Sequence, residues 1–94
     1  MNTESAVSDE RQIAGVLERA IAEDLQLPSG RRVDRNALFV DLGLDSAGVV
    51  AVAGQAGDHL GLEIPTEWLF DHPTIADLAA FLAHKAAHPE DDRG

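Results

Sequence analysis

The residues of this chain best placed to do chemistry are Asp45 and Ser46, in the stretch DLGLDSAGVV. A nucleophilic serine needs a general base within hydrogen-bond reach and a third group to orient that base. No histidine or lysine stands close to Ser46 in the sequence, and the surrounding Leu44, Asp45, Ser46, Ala47 and Gly48 do not form a G-x-S-x-G elbow. Self-contained serine hydrolysis is therefore disfavoured. A helix N-terminus, by contrast, presents unpaired amides and partial positive charge, so a serine in a first helical turn is a good place to keep a phosphodiester that another enzyme installs. On GLDS alone, the plainer reading is that Asp45 or Ser46 is a helix cap, because Asp and Ser are preferred there.

Other candidate chemistry is weaker. The absence of cysteine excludes disulfides, thiolate metal sites and a cysteine nucleophile. His84 and His88 are spaced i, i+4, but two histidines without a third ligand do not make a metal site, and with His59 and His72 they read as solvated surface. Arg31, Arg32 and Arg35 read as a solvated basic turn or as counter-charge for nearby acids. No metal ligands are assigned.

Composition narrows the function classes. Ninety-four residues suffice for one small domain. Seventeen acids against seven lysines and arginines give a formal charge of -10, which disfavours nucleic acid as a partner. Between Asn36 and His84 there are seven acids and no Lys or Arg, so a protein docking there should present a basic surface. Apolar runs are short and the N-terminus lacks the pattern of a signal peptide, so a soluble, cytoplasmic, monomeric protein without membrane contact is expected.

The elements that must position Ser46 follow from periodicity. Ile13, Val16, Leu17, Ala20, Ile21 and Leu25 predict an amphipathic helix over 8–27, stopped by LPSGRR. In the long connection that follows, NALFVDLG is expected to form a short turn whose Leu38, Phe39 and Leu42 plug the core. A second helix should run from Asp45 or Ser46 to Leu60, with Gly61 as its terminal glycine and Val49, Val52, Ala53, Ala56 and Leu60 as its buried stripe. Its opposite face, Ala47, Val50, Ala51, Gly54 and Asp58, is small and mostly apolar. Thr66 should cap a short third helix through Phe70, and Thr74 with Asp77 a last helix that buries Ile75, Leu78, Ala79 and Leu82. Trp68 reads as core rather than as a cap on a chain entrance. No strand-length alternation appears, so the fold class is all-α, a four-helix bundle with three longer helices, a short third one and a long first loop. Residues 1–7 and 87–94 read as flexible ends around a domain of 8–86.

LGLDS, then GLEIP, then LFDHPT, then IADLAAFLA hold a joint spacing that resembles the acyl carrier proteins of polyketide and fatty acid biosynthesis, over about Val7 to Leu82. The resemblance implies a carrier of four-helix type. In it, Ser46 receives the 4'-phosphopantetheine arm of coenzyme A from a phosphopantetheinyl transferase, and the arm's thiol holds acyl or polyketide intermediates as thioesters. It implies that Asp45 lies beside the transferase's magnesium, that the carrier catalyses nothing itself, and that ketosynthase, acyltransferase or other acyl-processing enzymes dock mainly on the second helix. Here the sequence departs from the pattern: Ala47 replaces the common leucine, and Ala51, Ala53 and Gly54 replace charged or polar residues. Docking is therefore expected to use Asp41, Leu44, Ala47, Val50, Ala51, Gly54, Asp58, Glu63 and Glu67, with apolar contacts on the helix and steering by the acids. A peptidyl or aryl carrier of a peptide synthetase is the nearest alternative, although GLDS suits the acyl type better than the GGHS or GGDS forms usual there. An unmodified helical adaptor is the alternative from another class. Met1 and the polar ends suggest a free-standing carrier, and an excised synthase domain would look similar.

Overall fold

Apolar residues recurring every three or four positions fold Glu10–Asp24 into α1, whose Ile13, Leu17 and Ile21 are fully buried. The structure, a computed structural model, describes residues 10–28 and 32–87; Ser8, Arg31, His88, residues 1–7 and the rest of the tail from 88 on lie outside the described residues, while Ala87, expected in the flexible tail, is the last residue of the final helix. Four more helices follow: α2, Phe39–Leu42; α3, Ser46–Leu60; α4, Thr66–Asp71; and α5, Ile75–Ala87. Among the described residues there is no strand, only an isolated antiparallel bridge between Leu38 and Thr74. The expected all-α bundle is present, with α2 as the short turn foreseen in the first loop. No described helix is long and apolar enough to cross a membrane.

The core sits where α1 packs against α3 and α5, with α4 resting on α3. Its largest fully buried side chains are Ile13, Leu17 and Ile21 of α1, Val52 of α3, Leu69 of α4, and Ile75, Leu78 and Leu82 of α5. Each such burial contributes about 1.5–3 kcal/mol. The stripes expected on the second and last helices are all buried as read from the sequence.

Several boundaries differ from the sequence expectation, each for a local reason. α1 stops at Asp24, before Pro28, because Gln26 turns left-handed (φ 59°) while the amides of Gln26 and Leu27 return to the carbonyls of Glu23 and Ala22. Thr66 is not a cap: Pro65 holds that position, without a side-chain hydrogen bond, and Thr66 is the first residue of α4. Thr74 does cap α5, its Oγ1 accepting from the Asp77 amide at 3.0 Å. Phe39 is buried and Leu42 packs on the core, but Leu38 is 42 % exposed. The reason is its bridge to Thr74, which holds Leu38 at the surface while the neighbouring Phe39 amide donates to the Pro73 carbonyl at 2.8 Å.

Aromatic packing ties α4 to α5. Trp68 is half-buried and meets Phe81 edge-on, with ring centroids 4.9 Å apart. His72, expected on the solvated surface, instead stacks on Phe81 at 4.2 Å.

The long first loop is tied to α1 by one carboxylate. Glu18 of α1, its side chain only 12 % exposed, accepts from the Val33 amide at 2.8 Å, from Arg35 Nε and Nη2 at 3.0 Å, and from Arg32 Nε at 3.3 Å. Burial by itself raises the pKa of this group, but the Val33 amide and the two guanidinium groups together bring it below the usual glutamate range. A depressed carboxylate stabilises the fold above its unfolded-state pKa, and that stability is lost as pH falls through the folded-state value. Glu18→Gln is expected to lower unfolding stability by about 1–3 kcal/mol at neutral pH, because the Val33 amide and Arg35 lose a charged acceptor. Urea titrations of both proteins at neutral pH and near pH 4 check this, with the gap between them narrowing in acid.

Candidate functional site

The segment LGLDS is built so that each residue does one job. Leu42 ends α2 and packs against the core. Gly43 follows at φ 106°, a left-handed conformation that a side chain would strain. There the chain reverses as the amides of Gly43 and Leu44 return to the carbonyls of Val40 and Phe39. Leu44 then turns inward and is only 4 % exposed. Asp45, extended at φ -99°, caps α3 by accepting from the Gly48 amide at 2.8 Å, while its own carbonyl receives the first helical bond, from Val49 at 2.9 Å. Ser46 is the first helical residue and is exposed.

One orphan donor of α3, the Gly48 amide, is thus satisfied by the Asp45 side chain, and among the described residues no acceptor pairs with the amides of Ser46 and Ala47. Nor does any described side chain hydrogen-bond to the Ser46 hydroxyl, so no general base activates it from among the described residues. An exposed serine flanked by unpaired amides at the positive end of a helix is a donor set suited to a serine-linked phosphodiester. Ser46 fits such a group, and Asp45 keeps its carboxylate exposed beside it while serving as the cap.

The docking residues expected from the sequence are exposed with one exception. Ala47, Val50, Ala51, Gly54 and Asp58 lie along the outward face of α3, Asp41 on α2, Glu63 in the α3–α4 connection and Glu67 on α4. Leu44 is the correction: after the reversal at Gly43 its side chain is buried in the core and not exposed on the docking face. Two exposed apolar residues went unread, Val40 at 68 % and Phe70 at 63 %. Each stands on a helix of four or six residues, too short for periodicity to separate its faces. Asp24, at the end of α1, was also missed; antiparallel packing brings its carboxylate against Gly48 in the first turn of α3.

No group of three metal-ligating side chains forms among the described residues. A groove of about 370 Å³ lies between Gly15, Val16 and Arg19 of α1 and Gln55 and His59 of α3. It flanks the later turns of α3, roughly 13 Å or more along the axis from Ser46, and contributes nothing to the serine's surroundings.

Comparison with known proteins gives this geometry a context. The family described as phosphopantetheine attachment site matches residues 15–82. A component of the phenolphthiocerol/phthiocerol polyketide synthase of Mycobacterium tuberculosis is 37 % identical over 71 residues, which cover 76 % of this chain and 4 % of that protein. Erythronolide synthase EryA2 of Saccharopolyspora erythraea is 33 % identical over 81 residues, 83 % of this chain and 2 % of the synthase. The chain therefore spans only a few per cent of the length of these curated relatives. Among solved structures, a free-standing peptidyl carrier protein from an uncharacterized Acinetobacter baumannii secondary metabolic pathway superposes with a TM-score of 0.75 at 26 % identity, covering 84 % of this chain and 98 % of that one.

The cap is open to direct test. Asp45→Ala should lower stability by about 1 kcal/mol, whereas Asp45→Asn, which keeps the acceptor, should cost much less. Chemical denaturation of the two variants measures the difference.

Proposed function

The chain belongs to the phosphopantetheine attachment family, and from that premise we propose that Ser46 is the residue that carries the arm. The supporting observation is the exposed Ser46 on the first turn of α3, inside the matched segment, with no base among the described residues bonded to it and with unpaired amides beside it. The cofactor of this family is 4'-phosphopantetheine. When bound, it supplies a thiol on which acyl groups are held as thioesters, chemistry that a cysteine-free chain lacks. The transfer forms a bond from Ser46 Oγ to the phosphorus nearer the pantetheine and breaks the pyrophosphate link of coenzyme A, with adenosine 3',5'-bisphosphate as the leaving group. The hydroxyl proton passes to a base of the phosphopantetheinyl transferase.

On this reading the chain is an acyl carrier of the polyketide synthase type that catalyses nothing itself and presents its cargo to acyl-processing enzymes such as a ketosynthase or an acyltransferase. Likeness to two polyketide synthases supports that cargo class. Asp45 serves the modification from the transferase and magnesium side, as the exposed acid next to the nucleophile. Partners meet the outward face of α3, where Ala47, Val50, Ala51 and Gly54 offer apolar contact and Asp41, Asp58, Glu63 and Glu67 offer negative charge around it. Carriage of aminoacyl or peptidyl groups is the second reading, favoured by the solved peptidyl carrier with the same fold.

The test is incubation with coenzyme A, magnesium and a broad-specificity phosphopantetheinyl transferase, followed by intact mass. One phosphopantetheine-sized gain, absent from Ser46→Ala, is expected. No gain in a folded protein would leave an unmodified helical adaptor, with Ser46 as an ordinary first-turn residue. Charging of the modified chain with malonyl units by an acyltransferase, and not with amino acids by an adenylating enzyme, separates the acyl from the peptidyl reading.

A further inference from the structure

Three glycines interrupt α3, and the structure gives them different surroundings. A Cβ at Gly54 would meet nothing within 4 Å, and one at Gly57 would strike the Leu62 carbonyl oxygen at 2.6 Å, far along the helix from Ser46. Gly48 is buried in the serine's own turn, and three atoms converge on the place its Cβ would take: Asp24 Oδ2 at 2.8 Å, Leu44 Cδ2 at 3.0 Å and Asp45 Oδ1 at 3.2 Å. Its backbone is not left-handed, so the glycine answers a need for space and not for a special conformation.

The three neighbours differ in their freedom to yield. Asp24 is exposed and its carboxylate can swing into solvent. Leu44 is held in the core. Asp45 Oδ1 accepts a hydrogen bond from the Gly48 amide itself, so a methyl group at 48, pressed from behind by Leu44, pushes on the capping oxygen. We propose that Gly48 is a positioning residue for the modification of Ser46: its missing side chain leaves the room in which Asp45 caps α3, and a side chain there displaces the cap and the turn that presents the serine. This rests on Ser46 being the attachment residue. A nucleophile shifted by a fraction of an ångström still binds the transferase with its carrier but reacts slowly, so the effect falls on kcat more than on KM.

The experiment compares phosphopantetheine transfer to wild type, Gly48→Ala, Leu44→Val, the double variant Leu44→Val/Gly48→Ala, and Gly15→Ala. Gly15 is a control because it lies in α1 with nothing within 4 Å of a Cβ. Expected are wild-type kinetics for Gly15→Ala and a fall in kcat of about tenfold or more for Gly48→Ala at little-changed KM. Exchange of the residue-48 amide should be faster in that variant. Leu44→Val removes the Cδ2 atom that backs the clash, so the double variant should regain most of the kcat of Leu44→Val. A Gly48→Ala protein modified within about twofold of the wild-type kcat overturns the inference, as does a double variant that stays slow. Should Gly48→Ala fail to fold, the double variant against Leu44→Val decides alone: equal kcat supports crowding and a slow double variant overturns it. A wild-type protein that takes up no phosphopantetheine defeats the attachment reading itself, which no result on Gly48 can imitate.

Discussion

The capping bond from the Gly48 amide to the Asp45 carboxylate, at 2.8 Å, is the interaction on which the arrangement around Ser46 depends. It fixes where α3 begins, and so makes Ser46 the first helical residue and leaves it in solvent. The bond is possible because Gly43 reverses the chain and Leu44 is buried directly before the cap, anchoring the turn to the core. A local motif of five residues, LGLDS, is thus a chain of steric and hydrogen-bonding consequences, in which Ser46 is left exposed.

The same logic runs through the electrostatics. Glu18 draws Arg32 and Arg35 to the side of α1 and uses them, with the Val33 amide, to hold the first loop. Those cations are therefore committed to the loop, and the stretch from Asn36 to His84, with its seven acids, keeps its charge uncompensated by any Lys or Arg of its own. No Lys or Arg within that stretch offsets the acids around the outward face of α3. A basic partner would be attracted over the distance of screening, about 8–10 Å at physiological salt, and would then find small side chains that permit close approach.

Much of this was legible in the sequence where the deciding interaction is local. The limits of α3 follow from an aspartate cap and a terminal glycine, both read within one turn of the chain, and the buried stripes of α3 and α5 follow from helical spacing alone. Residues whose burial depends on a distant neighbour were not legible. Leu38 and Leu44 are chemically alike and six positions apart, yet a bridge to Thr74 holds the first outside and the reversal at Gly43 sends the second inside. Glu18 reaches the loop across 14 to 17 residues, and the stacking of His72 on Phe81 is equally non-local. Asp24 meets Gly48 only because α1 and α3 pack antiparallel, a relation no single-residue pattern encodes.

The central claim, that the arm is carried on the first residue of α3, is tested most directly by digesting the phosphopantetheine-modified chain and locating the added group by fragmentation of each peptide. The account predicts the group on Ser46 alone. Its appearance on Ser5, Ser8 or Ser29, in place of Ser46 or together with it, would contradict the account.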